Sequence, residues 1–167
     1  MFVGIDPGME GAVAIIYPVE NRLPAVHFLD TPVVNVGKKG KTKREYDGQR
    51  MTQMFKDYGV LNGGVVYIER QQSMPGQGVA STFTTGRGYG LWLGILTALG
   101  IPYEIVAPVT WKKNLMADMA KEKGASLIKA KQLFPLCAED LKLKKHHGRA
   151  DALLIAEFGR RRFMGQA

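Results

Sequence analysis

The chain has 167 residues, 46% of them hydrophobic, with 23 lysines and arginines against 15 acids and a net charge of +8. That size and apolar share suit one folded unit over residues 1–167, and Cys137, the only cysteine, excludes an internal disulfide and a cysteine-based zinc site. No apolar run is long enough to cross a bilayer, no leader-like segment precedes the first apolar strand, and the basic balance points to a polyanionic partner, nucleic acid before membrane.

Phe2, Val3 and Ile5 read as a short buried strand that runs into Asp6, and Pro7 and Gly8 then turn the chain. A carboxylate at the end of such a strand needs a cation or hydrogen-bond donors. It is either half of a metal site or a residue that bonds only its own turn. Residues 11–17 read as a returning strand and 25–29 as a third, a meander ended by Asp30, Thr31 and Pro32. Residues 37–44 hold five cations in eight positions, Lys38, Lys39, Lys41, Lys43 and Arg44. They read as a mobile basic loop for phosphate contact, with a solvated hairpin tip as the alternative.

Asp47 is placed to cap a helix whose Met51, Met54, Phe55 and Tyr58 share one face. Residues 65–68 form the next short apolar strand, and it too ends in an acid, Glu69. A right-handed crossover from the meander sets this strand beside the first. Asp6 and Glu69 then stand at the same sheet end on strands about 4.8 Å apart, a spacing that suits a shared cation. Asp30 lies two strands from Asp6, roughly 10 Å away, and is read as a turn residue.

Residues 71–78 form a polar loop behind Glu69, positioned for substrate contact. A long helix is expected over 79–99, with Gly86, Gly90 and Gly94 on a stripe where another backbone packs, inside the fold or across a dimer. Ser81, Thr85 and Arg87 on it face either a phosphate backbone or plain solvent. A strand follows over 103–106, then Lys112 and Lys113 beside Trp111, which suits a nucleic-acid face or the core. Another helix covers 126–134. Residues 149–163 are helical, with Asp151 in the first turn and Arg160, Arg161 and Arg162 in the last, where they complement the helix dipole. If this helix begins early enough, His147 and Asp151 stand one turn apart on one side. Three acids in apolar settings with an order that brings them together suit Mg²⁺ or Mn²⁺, and two such ions suit phosphodiester cleavage.

Four segments carry a resemblance across nearly the whole chain: Gly4-Ile5-Asp6-Pro7-Gly8, Tyr67-Ile68-Glu69, Pro108-x-x-Trp111-Lys112, and the run from Gly148 through Asp151 to Ala156. Together, in this order, they resemble the RuvC family of Holliday-junction resolvases, in its phage and organellar branch. The resemblance implies an α/β ribonuclease-H-like fold: a mixed five-stranded sheet, a three-strand antiparallel meander plus parallel strands, flanked by helices. It also implies a homodimer that nicks two opposed strands of a four-way DNA junction, with two Mg²⁺ or Mn²⁺ ions per active site. Asp6, Glu69 and Asp151 match three of the family's four ligands. The family's usual spacing for the fourth lands on Gly148, so His147 is expected to take that place, with His146 as the rival. Asp6 is expected to bridge the ions, Glu69 to hold the leaving-group side, and Asp151 with His147 the water side, His147 also shuttling a proton.

The DNA-binding set is expected to comprise Lys38, Lys39, Lys41, Lys43, Arg44, Gln72, Ser81, Arg87, Lys112, Lys113, Lys145 and Arg149. Bacterial members carry a stacking aromatic after the Glu; this chain has Gln71 and Gln72, with Met74 and Phe83 as weak substitutes. The expected setting is intracellular, in a bacterial or phage-infected cell or an organelle, with no membrane and no nucleotide cofactor. Three rival functions remain. One is a nuclease of the same fold acting on flaps or forks. Another is a junction-binding protein whose site the His147 departure has weakened. The last, suggested by Asp6-Pro7-Gly8, is a sugar-kinase-like phosphotransferase, which normally needs two such domains.

Overall fold

The computed structural model describes residues 1–20, 22–38, 40–120 and 122–166. Strands β1 (Phe2–Ile5), β2 (Ala12–Tyr17) and β3 (Ala25–Asp30) form the expected antiparallel meander. Next come a hairpin of β4 (Val33–Lys38) and β5 (Lys41–Tyr46), helix α1 (Gly48–Asp57) and strand β6 (Val65–Glu69). Helix α2 (Val79–Ala98), strand β7 (Tyr103–Val106) and helices α3 (Pro108–Leu115), α4 (Ala125–Leu133) and α5 (His147–Phe163) complete the chain. The main sheet runs β3-β2-β1-β6-β7, with β6 parallel to β1 and β7 parallel to β6.

Alternation along the strands sorts the core into two layers. Val3, Ile5, Val13, Ile15, Val66 and Ile68 face α1 and α2, where they meet Met51, Phe55, Trp92 and Leu96. Phe2, Ala12, Ala14, Ile16 and Tyr67 face α3, α4 and α5, where they meet Trp111, Ala130, Leu153 and Phe158. Each fully buried Ile or Leu contributes about 1.5–3 kcal/mol relative to exposure. Asp6 continues the parity of Phe2 and Gly4, and Glu69 that of Val65 and Tyr67. Both acids therefore belong to the α5 face of the sheet.

Helix α5 lies against β1 with no side chain between them. A Cβ added to Gly4 would stand 2.0 Å from the Ala152 carbonyl oxygen and 2.4 Å from the Ala156 nitrogen. The missing side chain is what lets the helix bring Asp151 down to the strand that carries Asp6. At the start of α5, a Cβ on Gly148 would stand 2.2 Å from the Glu10 carbonyl oxygen, so the helix end is pressed onto the β1–β2 turn.

Several expectations are corrected. Of the two readings of the basic segment, the hairpin is the one found: β4 and β5 pair Val36 with Lys43 and Lys38 with Lys41. The valines at 33, 34 and 36 supply the β-propensity that the lysines hide. Lys39 lies outside the described residues. Among the described residues, no atom approaches within 4 Å of a Cβ built on Gly86, Gly90 or Gly94, so of the two expected partners for that stripe, a backbone inside the fold is not the one. Pro108–Leu115 is a helix, started by Pro108 in its first turn. Asp151 is the fifth residue of α5 rather than a first-turn acid, because the helix begins at His147. Of the three terminal arginines, Arg160 and Arg161 do more than offset a dipole: their Nε atoms donate to the buried Glu157 carboxylate at 2.7 and 2.8 Å. Among the described residues, no helix is long and apolar enough to cross a membrane.

Candidate metal and nucleic-acid site

The parallel register sets Ile5 opposite Ile68, so Asp6 and Glu69 follow side by side at the ends of β1 and β6. Asp151 reaches the same place from α5. All three acids are half-buried and lie close enough to act on one another. Burial, then the Asp151 and Glu69 carboxylates, push the Asp6 pKa up to about 7, against the opposing pull of the Gly8 N–H and Lys112. Burial raises Glu69, and Asp151 adds to it, while the Trp111 indole N–H, Lys112 and Gln71 pull it back. Burial raises Asp151 as well, opposed by Ser126, Lys112 and His147. Among the described residues, Lys112 is the cation felt by all three.

Hydrogen bonds hold these acids unequally. Asp6 Oδ1 accepts from the Gly8 backbone N–H at 3.3 Å. Both oxygens of Glu69 are engaged, Oε1 by Trp111 Nε1 and Oε2 by Gln71 Nε2, each at 2.9 Å. Asp151 Oδ1 is buried with no partner. Among the described residues, no three His, Cys, Asp or Glu side chains stand close enough to grip one ion. Topology brings the acids to one sheet end, but their side chains are not closed into a cage. Mutual repulsion opposes closure, and the two donors on Glu69 hold its carboxylate in place. As a donor set the residues fit a hard divalent cation: adjacent carboxylates whose charge is destabilised by burial, one with an orphaned buried oxygen.

The structure separates the two histidines. His147 is exposed, lines the same cleft as Asp151 and acts on its charge. His146 faces the other way, among Arg149, Lys145 and Asp30, and burial lowers its pKa. Position 148, where the resemblance would put the fourth ligand, cannot carry any side chain without shifting the helix from the Glu10 backbone.

Beside Asp151 opens a cleft of about 720 Å³ between α3, α4 and the start of α5. Lys112 and Lys113 line it together with Met116, Met119, Ser126 and His147. Of the other residues expected to meet DNA, Lys38 and Lys41 are exposed as a cross-strand pair near the hairpin tip, and Lys43 stands 3.7 Å from Glu45. Arg44 bonds Glu10, and Arg87 donates to Glu45 at 3.3 Å, so both are tied to acids of this chain. Gln72 lines a small recess with Gln71, Gln77 and Thr85, and Ser81 bonds Gln77 at 3.1 Å. Lys145 is exposed.

Arg149, expected to meet DNA, is engaged within the fold as a brace. Its Nε and Nη2 donate to the two Asp30 oxygens, both at 2.6 Å, and its Nη1 to the Asp140 carbonyl at 3.3 Å. Asp30 is accordingly the strand-end anchor of α5, and Arg149 holds its carboxyl below the usual carboxylate range. Trp111 is the residue whose part the sequence reading left open. It is fully buried, yet its N–H reaches Glu69. The only signal for this was its place in the Pro108-x-x-Trp111-Lys112 motif.

No protein-family model matches the chain. Over 90 residues, 54% of the chain, it is 43% identical to the chloroplastic Holliday junction resolvase MOC1 of Chlamydomonas reinhardtii. The chain spans about a tenth of the length of that relative. Two solved structures of Thermus thermophilus RuvC match 99% of this chain and 96% of theirs. One has a TM-score of 0.53 at 19% identity; the other, in complex with a Holliday junction substrate, has 0.58 at 16%. The chain therefore has the ribonuclease-H-like fold of RuvC and is related in sequence, over about half its length, to a Holliday junction resolvase.

Proposed function

We propose that the chain is a structure-specific DNA endonuclease. It would resolve four-way junctions by divalent-metal-dependent phosphodiester hydrolysis, with residues 1–167 as one nuclease unit and a homodimer making paired, symmetric nicks. The observation that carries this reading is the meeting of Asp6, Glu69 and Asp151 at one end of the sheet in a chain of net charge +8. Three half-buried acids that repel one another are costly for a fold to keep, unless cations complete them. The sequence relationship to a chloroplastic resolvase and the RuvC fold support the same reading.

Asp6, Glu69 and Asp151 would hold Mg²⁺ or Mn²⁺, with His147 beside Asp151 as the fourth donor. Bound divalent ions supply Lewis acidity for water attack and for the departing oxygen. Lys112 and Lys113, at the cleft beside Asp151, draw the scissile phosphate toward the acids and offset charge on it. His147, exposed at the same cleft, is placed to accept a proton at its imidazole. The hairpin lysines Lys38, Lys41 and Lys43 hold a flanking arm through its phosphates and read no sequence.

Synthetic four-way junctions, flaps and forks incubated with the protein in Mg²⁺, Mn²⁺ or EDTA test this directly. Paired nicks placed symmetrically about the crossover, dependent on metal, are expected on the four-way junction. Cleavage confined to flaps or forks, or no cleavage at all in either metal, contradicts it.

A further inference from the structure

Two tryptophans are buried completely in this fold, and they use their indole N–H groups differently. Trp92 packs edge-on against Phe55, 5.8 Å between ring centroids, and its Nε1 has no partner. The core therefore tolerates an indole whose donor is idle. Trp111 sits in the opposite layer, in the first half of α3, and its Nε1 donates to Glu69 Oε1 at 2.9 Å. Its ring also carries the Lys112 ammonium, 5.0 Å from the centroid. Lys112 lines the cleft that Asp151 opens onto, and the same indole bonds Glu69, so the ring lies within the carboxylate site, not merely beneath it.

We propose that Trp111 is a positioning residue that sets the orientation of the Glu69 carboxylate for cation binding. The inference rests on the reading of Glu69 as a metal ligand. Three physical points support it. A carboxylate oxygen can accept more than one hydrogen bond, so an indole donor on Oε1 fixes the group while leaving a lone pair for an ion. The indole is fully buried in the core layer that holds residues of the sheet and α5, so packing fixes the position from which it donates. The other donor on Glu69, Gln71, is half-exposed and belongs to the polar loop after β6, so it is the adjustable member of the pair. Donors of this kind behind a metal ligand, when removed, typically weaken metal binding 10–100-fold.

The test replaces one atom group. Benzothienylalanine introduced at position 111 by stop-codon suppression keeps the ring and the face beneath Lys112 but substitutes sulfur for the N–H. The same change at position 92 is the control. Mn²⁺ is titrated calorimetrically into the DNA-free full chain, thermal melting is followed without metal, and junction binding is measured in EDTA. The position-111 variant is expected to bind Mn²⁺ roughly 10-fold more weakly or worse. Its junction affinity should match the parent, its metal-free melting temperature should fall only by the few degrees that one lost hydrogen bond to a carboxylate costs, and raised Mn²⁺ should restore cleavage. The position-92 variant should bind Mn²⁺ as the parent does. Should the ring variant fail to fold, Trp111→Phe loses the same donor and is expected to show the same weakening. In a Glu69→Gln background, either change at position 111 should add nothing. A folded position-111 variant that binds Mn²⁺ within twofold of the parent overturns the proposal and leaves the nuclease reading standing. A parent chain that binds no Mn²⁺ overturns both.

Discussion

At the carboxylate end of the sheet, each acid is placed by residues far away in sequence: Asp6 by pairing of β1 with β6, Glu69 by Trp111, and Asp151 by the close approach of α5 to Gly4. In the β4–β5 hairpin the pairing is local, most side chains are exposed, and the tie to the body runs through Tyr46, Arg44 and Arg87. One region spends folding energy to hold like charges together in a half-buried place. The other spreads charge of the opposite sign into solvent, where it costs little. Chemistry that depends on tenths of an ångström belongs to the first, and phosphate attraction that tolerates imprecision belongs to the second.

The largest effect is expected from forcing the two layers of the rigid region apart. Gly4→Val would press a branched side chain into the backbone of α5 at Ala152 and Ala156. Overpacking of this kind typically costs 1–3 kcal/mol and occasionally more. Here the obstruction is backbone, so a loss of about 3 kcal/mol or more is expected in urea unfolding, together with loss of cleavage. A hairpin glycine tested in the same way, Gly40→Ala, has open space around it; its φ of 87° strains an alanine by about 1–2 kcal/mol, so it should lose less than Gly4→Val and keep cleavage.

A second contrast lies in pH. The Asp6 pKa is about 7 in the fold against an ordinary value of 3.8, so the native chain binds more protons than the unfolded chain between those values. Stability contributed by the protonated form is complete below about pH 4 and is lost as pH rises through about 7. Glu69 and Asp151, also raised, act in the same direction. The metal-free chain should therefore melt at progressively lower temperature from pH 5 to pH 8. Asp6→Asn should flatten the fall and stabilise the metal-free chain at pH 8 by about 1–3 kcal/mol. Saturating Mg²⁺ should do the same for the parent.

The hairpin should respond to salt instead. Replacing Lys38, Lys41 and Lys43 with alanine removes up to three phosphate contacts. The slope of log binding constant against log salt should then become shallower by about 2–3. Cleavage at saturating protein should be retained. The smallest effect is expected at Arg149→Ala. Its guanidinium is spent on Asp30, a mostly exposed acid, so a loss of about 1 kcal/mol or less in stability and no change in the salt slope are expected.

What the sequence revealed divides along the same line. Acids that end apolar strands are visible as charge where charge is unusual. The crossover rule then suffices to set β6 beside β1 and Glu69 beside Asp6. The hairpin stands only as the second reading because five cations and two glycines mask the alternation of Val34 and Val36 with polar neighbours. Contacts between distant side chains left almost no trace. Nothing in the order of residues joins Arg149 to Asp30, 119 positions away, and the motif that holds Trp111 does not say that its N–H meets Glu69. Likewise, only the packed helix shows that position 148 has no room for a ligand, whereas the one-turn spacing of His147 and Asp151 is already visible in the sequence.

The central claim is that Asp6, Glu69 and Asp151 work as one cation-binding group that cuts DNA. The most direct measurement compares the parent chain and Asp6→Asn on a labelled four-way junction, recording binding in EDTA and single-turnover cleavage in Mg²⁺. The account predicts equal or tighter binding by Asp6→Asn, since a negative charge is gone, and a loss of cleavage of at least about a thousandfold, roughly 4 kcal/mol of barrier. Cleavage by Asp6→Asn at the parent's rate, at the same phosphates, would contradict it.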